Sequence, residues 1–164
     1  MMILVLNGQR KWMTKKEIYE DALVVKTLKA PTKIKIRMLS ELCGIYEDHW
    51  KVIGITKDAL KVFFENNFER KSKMGINRSH FQDRYKTFTH LLTHDLNCDE
   101  WWEYYDKHNV TVLATSTENM TNIWSEVYDV DTNLNLFKSS GFSWKHGKQE
   151  QQFLKETYES MTNG

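Results

Sequence analysis

Residues 68–92 read FERKSKMGINRSHFQDRYKTFTHLL. Residues 69–75, ERKSKMG, are polar and end in glycine, which predicts a loop. Beyond it, Phe81, Tyr85, Phe88 and Leu92 recur every three or four residues and predict an amphipathic helix over 76–92. On that helix Asn77, His80, Arg84 and Thr87 line one shoulder of the apolar stripe, with Arg78 and Gln82 on the other. A shoulder side chain is anchored by the core yet still reaches a ligand.

The chain on either side of this stretch also reads mostly as helix. Thr14 and Glu17 have capping-box spacing, with Met13 and Ile18 placed as a hydrophobic staple. Ile18, Ala22 and Val25 then face inward, and the helix stops before Pro31. Thr32 is placed to cap a second helix with Ile34, Met38 and Leu42 inward and Gly44 past its end. Residues 45–55, with Asp48, His49 and Trp50, read as a connection. Thr56 caps a third helix striped by Leu60, Phe63, Phe64 and Phe68.

After the opening stretch, Asp99 is placed to cap a short aromatic helix. The β-branched alternation of 110–115 predicts a strand. Ser116 or Thr117 caps the next helix, with Met120, Ile123, Trp124 and Val127 inward. Residues 129–137 read as irregular and 138–148 as a basic, aromatic loop or hairpin. A last helix carries Phe153, Leu154, Tyr158 and Met161. A first strand is expected at residues 2–6.

The expectation is one α+β domain over 1–164, mainly α, with about six helices and two or three short strands. Within it, 33–92 is expected as a helical DNA-binding unit and 93–128 as a catalytic unit. No alternation of strand and helix runs through the chain, so a four-stranded parallel sheet is not expected.

A hydrophobic share of 40% and an aromatic share of 13% suit a packed core. The net charge of +1 makes no demand for an anionic partner, although charge can still be segregated locally. No run of 18 apolar residues predicts a membrane span. Cys43 and Cys98 have no metal-ligand spacing and read as free thiols of a reducing cytoplasm.

Charge is concentrated in the opening stretch. Arg70, Lys71, Lys73, Arg78, Arg84 and Lys86 are opposed between 70 and 86 only by Asp83, a density suited to phosphate. His80 has the residue type of a general base near neutral pH, with Asn77 and Arg84 beside it. In 138–148, Phe142, Trp144 and His146 alternate among Lys138, Lys145 and Lys148. Aromatic faces among cations suit stacked bases and a gripped backbone, although Trp144 itself reads as packing on the core.

The segment NVTVLATSTENMTN (109–122) resembles the closing half of the HNH motif of phage-type homing endonucleases. The Asn109–Asn119 spacing is one residue longer than the family's. In that family the first asparagine pins the hairpin of a ββα-metal fold, and a residue on the following helix ligates a divalent metal. The resemblance places those roles on Asn109 and Asn119. It implies a small metal-dependent DNA endonuclease acting on double-stranded DNA, in the host cytoplasm if phage-encoded. Its catalytic residues would be His80 or His94 with Asn119. Asp95, Glu118 and Asn119 would hold Mg²⁺ or Mn²⁺. Arg70, Lys71, Lys73, Asn77, Arg78, Arg84, Lys86, Lys145 and Lys148 would contact DNA. The alternatives are a non-enzymatic DNA-binding protein whose helix 76–92 enters a groove, or a protein-interaction or virion component.

Overall fold

The computed structural model describes residues 13–164. The strand expected at 2–6 lies outside the described residues. The architecture is α+β and mainly α. Helices α1 (Lys15–Thr27), α2 (Thr32–Cys43), α4 (Arg84–Thr93) and α5 (Cys98–His108) share one core; α3 (Lys57–Glu65) and α7 (Lys148–Asn163) belong to another, built on a sheet. A short helix α6 (Ser116–Thr121) follows the strand β3 (Val110–Thr115) directly.

The sheet has four strands in the order β2 (Ile76–His80), β3, β1 (Lys51–Thr56), β4 (Val127–Asp129). It is mixed: β1 runs parallel to β3, while β2 and β4 are antiparallel to their neighbours. A separate two-stranded hairpin joins β5 (Ser139–Ser140) to β6 (Ser143–Trp144).

Several helix starts follow their local chemistry. The Thr14–Glu17 capping box forms, Met13 packs on the core that contains Ile18, and Thr56 caps α3 through the Ala59 N–H. Elsewhere the caps sit slightly earlier than the sequence suggests. Asn97 rather than Asp99 caps α5, Thr115 rather than Ser116 or Thr117 caps α6, and Thr32 is the first residue of α2 after Pro31.

The main correction concerns the opening stretch. Residues 76–80 form a strand, so the helix begins at Arg84 rather than Ile76. Asn77, His80 and Arg84 therefore do not share a helix shoulder. Residues 33–92 are also not a helical unit, because β1 and β2 interrupt them and α3 belongs to the other core. Phe81 and Tyr85 are 53% and 54% exposed, and Phe88, Leu91 and Leu92 bury α4 instead.

Period 2 now governs the pattern. His80 pairs with Thr111, Arg78 with Leu113 and Ile76 with Thr115, and directly opposed residues point to one face. That face meets the α3/α7 core, where Ile76 and Leu113 lie. Asn77 and Ser79 point to the other face, where Ser79 accepts from the Trp124 indole N–H at 3.1 Å.

Residues 51–56, read as part of a connection, form a central strand. The register shifts between Val52 and Gly54, a bulge that puts Val52 and Ile55, three apart, in the same core. Five other inward assignments change. Ile34 and Met38 are exposed, while Ile36 and Leu39 bury α2. Met120, Ile123 and Val127 are likewise exposed. The hairpin and the terminal helix form as expected, with Trp144 buried in the sheet core beside Leu154. Among the described residues, no helix is long and apolar enough to cross a membrane.

Candidate functional site

Trp50 is the centre of a cluster of cationic and aromatic side chains. Its backbone has φ +52°, a left-handed conformation that is rare for a bulky residue. Asn109 holds it there from both sides. Asn109 Oδ1 accepts from the Trp50 N–H at 2.6 Å, and its Nδ2 donates to the Asp48 carbonyl at 2.7 Å. Thr111 Oγ1 donates to the Trp50 carbonyl at 3.0 Å. Strain of this kind persists where surroundings over-determine it, and such positions cluster at functional sites.

Three β2- and α4-borne groups meet the indole. Arg78 Cζ lies 4.9 Å and Arg84 Cζ 5.9 Å from its ring, and His80 meets it edge-on at 5.0 Å. Phe142, 61% exposed at the hairpin tip, stands 5.7 Å away. Arg78 is only 8% exposed. It donates to Gly141 O at 3.2 Å, and at 3.4 Å to both Ser139 Oγ and His49 O. Among the described residues no carboxylate forms a salt bridge with Arg70, Arg78 or Arg84. A buried guanidinium without an anion is costly, and burial brings the Arg78 pKa down to about 10, with Arg70 adding to the shift.

The same environment keeps the histidines neutral. Burial, then the Arg84 and Arg78 charges, push His80 down to about 4 against a smaller opposing pull from Asp83. Burial, then Arg78, His80 and Arg84, push His49 down to about 2. His49 shares a short hydrogen bond through Nδ1 with Tyr105 Oη, and its buried Nε2 has no partner.

A groove of about 490 Å³ opens beside this cluster, lined by Arg84, Tyr85 and Phe142 on one side and by Lys33, Arg37 and Ser40 of α2 on the other. Ser40 is 2% exposed and its Oγ lacks a partner.

The residues expected to hold a metal do not come together. Glu118 is buried, with both oxygens engaged: Oε2 accepts from Thr56 Oγ1, Thr115 N and Thr115 Oγ1, and Oε1 from Ser125 N and Oγ. Burial raises its pKa, but these hydrogen bonds outweigh it and bring the carboxyl to about 2. Asp95, beyond the C-terminal end of α4, pairs with Lys26 at 2.6 Å. His94 stacks on His90 at 3.7 Å in the same region. Asn119 is exposed on α6. Among the described residues no three His, Cys, Asp or Glu side chains converge on a metal position. His80 pairs with Thr111 near the start of β3, whereas α6 follows its end. The segment before Asn109 is helix α5 rather than a hairpin strand.

Of the expected nucleic-acid contacts, Arg78 and Arg84 meet at Trp50. Arg70, Lys71, Lys73 and Asn77 line a second groove at the other end of β2. Lys86, Lys145 and Lys148 are exposed outside both grooves. The sequence does not single out Trp50, Tyr85, Arg37 or Ser40 as site residues. The only local signal was the adjacency of His49 and Trp50 in a polar connection.

Compared with protein-family models, curated proteins and solved structures, the chain finds no match.

Proposed function

We propose that this chain binds nucleic acid, DNA in the first instance, through the Trp50 cluster. The observation that carries this reading is a buried arginine, Arg78, set over an indole, with no carboxylate partner among the described residues and backed by exposed Arg84. A phosphate supplies the missing anion, and Phe142 and Tyr85 offer exposed faces for a base. Fluorescence anisotropy with a labelled DNA 12-mer over a salt series tests it. Arg84→Ala is expected to reduce the slope of log K against log salt by about 0.7–0.9. Phe142→Ala is expected to weaken binding by roughly 1–3 kcal/mol at constant slope. Binding that is independent of salt and of both residues would refute the reading.

A second reading is hydrolysis of the phosphodiester, the activity implied by the HNH-like segment. The position of His80 supports it, edge-on to Trp50 beside two arginines, where an imidazole next to a held phosphate can take a proton from water. The separated positions of Asp95, Glu118 and Asn119 supply no common metal set, so divalent ions enter as the variable of the assay. Plasmid nicking with Mg²⁺ or Mn²⁺, lost in His80→Ala while binding persists, supports hydrolysis. Intact plasmid under all conditions leaves binding alone.

A further inference from the structure

The β5–β6 hairpin is held by an arginine at each end. Arg78 donates to Ser139 Oγ and Gly141 O of its first half. Arg70 donates to Trp144 O at 3.0 Å and makes a short bond to Ser143 Oγ in its second half. Arg70 also stands over the Trp144 ring, Cζ 3.8 Å from the centroid. The first arginine belongs to the Trp50 cluster. The second opens a separate groove of about 540 Å³ lined by residues 70–77 and Trp144.

That second groove has the chemistry of an anion site. It carries Arg70, Lys71 and Lys73, and among the described residues none of the three has a salt-bridge partner. Arg70 is held in place by the hairpin, so little side-chain entropy is lost on binding. Lys73 and Gly75 both have positive φ, +62° and +72°, which folds the loop tightly around the groove. Trp144, only 6% exposed, lines it, and among the described residues its Nε1–H has no partner. A buried indole N–H without an acceptor is uncommon and marks a position where an acceptor is missing.

We infer that this groove is a second phosphate subsite, occupied by the same strand that is held at Trp50. The inference rests on the nucleic-acid reading above. Strand β2 runs from the second groove, at Ile76 and Asn77, to the Trp50 cluster, at His80. At about 3.3 Å per residue it covers roughly 13 Å. A strand spanning that distance places only a few nucleotides between the two sites, at the lower end of single-strand site sizes. Exposed Phe142 stands at the hairpin tip, where an unpaired base can stack on it without the cost of opening a duplex step. The substrate class is therefore single-stranded nucleic acid, gripped at two phosphates on either side of the hairpin.

The test uses the full chain and three probes: inorganic phosphate, single-stranded DNA of 2, 4, 8 and 12 nucleotides, and the 12-mer as duplex. The readouts are anisotropy for the oligonucleotides and the Trp144 indole N–H resonance, assigned by its loss in Trp144→Phe. Affinity is expected to rise steeply between 2 and 4–8 nucleotides, with the duplex weaker than the single strand. The Trp144 resonance should move with both phosphate and the longer oligonucleotides. Lys71→Ala/Lys73→Ala, both exposed, should weaken the 8-mer at least fivefold and reduce its salt slope by about 1.4. Binding that depends on Arg84 and Phe142 but ignores the double variant and leaves Trp144 unmoved overturns the subsite and spares the function. Duplex binding tighter than single-strand binding overturns the substrate class. A Trp144 shift with inorganic phosphate while no oligonucleotide binds overturns the shared strand together with the nucleic-acid reading.

Discussion

His80 and His49 turn the environment of Trp50 into a measurable pH dependence. Both have pKa values well below the ordinary 6.5 in the folded chain, about 4 and about 2. At pH 7 each is neutral whether folded or not. As pH falls through 6.5, the unfolded chain takes up protons that the folded chain refuses, so stability falls with pH. For His80 this loss runs from pH 6.5 to about 4 and reaches about 3 kcal/mol, at 1.36 kcal/mol per unit. Glu118 acts below that window: its depressed pKa adds stability above 4.5 that is lost as pH falls towards 2. Urea unfolding at pH 7, 5.5 and 4.5 is expected to show steadily lower stability, and His80→Gln should flatten the change. An unchanged profile in His80→Gln would mean the imidazole is not held neutral by its surroundings.

At the scale of elements, the bulge in β1 decides how the sheet packs. Gly54 faces Val112 and Val127, and a Cβ there would stand 2.7 Å from Val127 Cγ1 and 3.3 Å from Tyr128 O. Gly54→Ala is therefore expected to destabilise the chain by about 1–3 kcal/mol. Val127→Ala in the same chain should restore part of the loss, since the closest contact is the end of a half-exposed side chain. A double-mutant cycle by thermal or urea unfolding measures this coupling, and strict additivity would argue against the contact. The same bulge hid β1 from periodicity. Val52 and Ile55 share a face three residues apart, which matches neither plain alternation nor a helix stripe long enough to register. In β2 the error had a different source. Ile76, Arg78 and His80 alternate correctly for a strand, but Phe81, Tyr85 and Phe88 extend a helical period backwards across the junction at Asp83. Two of those aromatics are exposed, so the apparent stripe was not a core stripe.

At the scale of the whole molecule, the site stands where the helical core meets the sheet core, and Tyr105 couples them. It is buried among α1, α2, α4 and α5 residues, neighbours the Cys43 thiol, and bonds His49 next to Trp50. Tyr105→Phe is expected to lower stability by about 1–2 kcal/mol by leaving buried His49 without a partner at either nitrogen. It should also weaken oligonucleotide binding severalfold, because Trp50 loses a support for its left-handed backbone. Unfolding and anisotropy on one sample separate the two effects, and a loss of stability with unchanged binding would detach Tyr105 from the site. Local chemistry in the chain determined the Thr14 and Thr56 caps, the strand 110–115, the terminal helix and the density of cations between 70 and 86. These depend on neighbours within a few residues, so they are legible without a fold. The tertiary structure decided which cations meet. Pairing with β3 turned 76–80 into a strand and sent Asn77 and His80 to opposite faces. Asn109 fastened Trp50 from 59 positions away, and the hairpin carried Phe142 to it. Such contacts depend on sheet register and chain closure, which no local period in the sequence encodes.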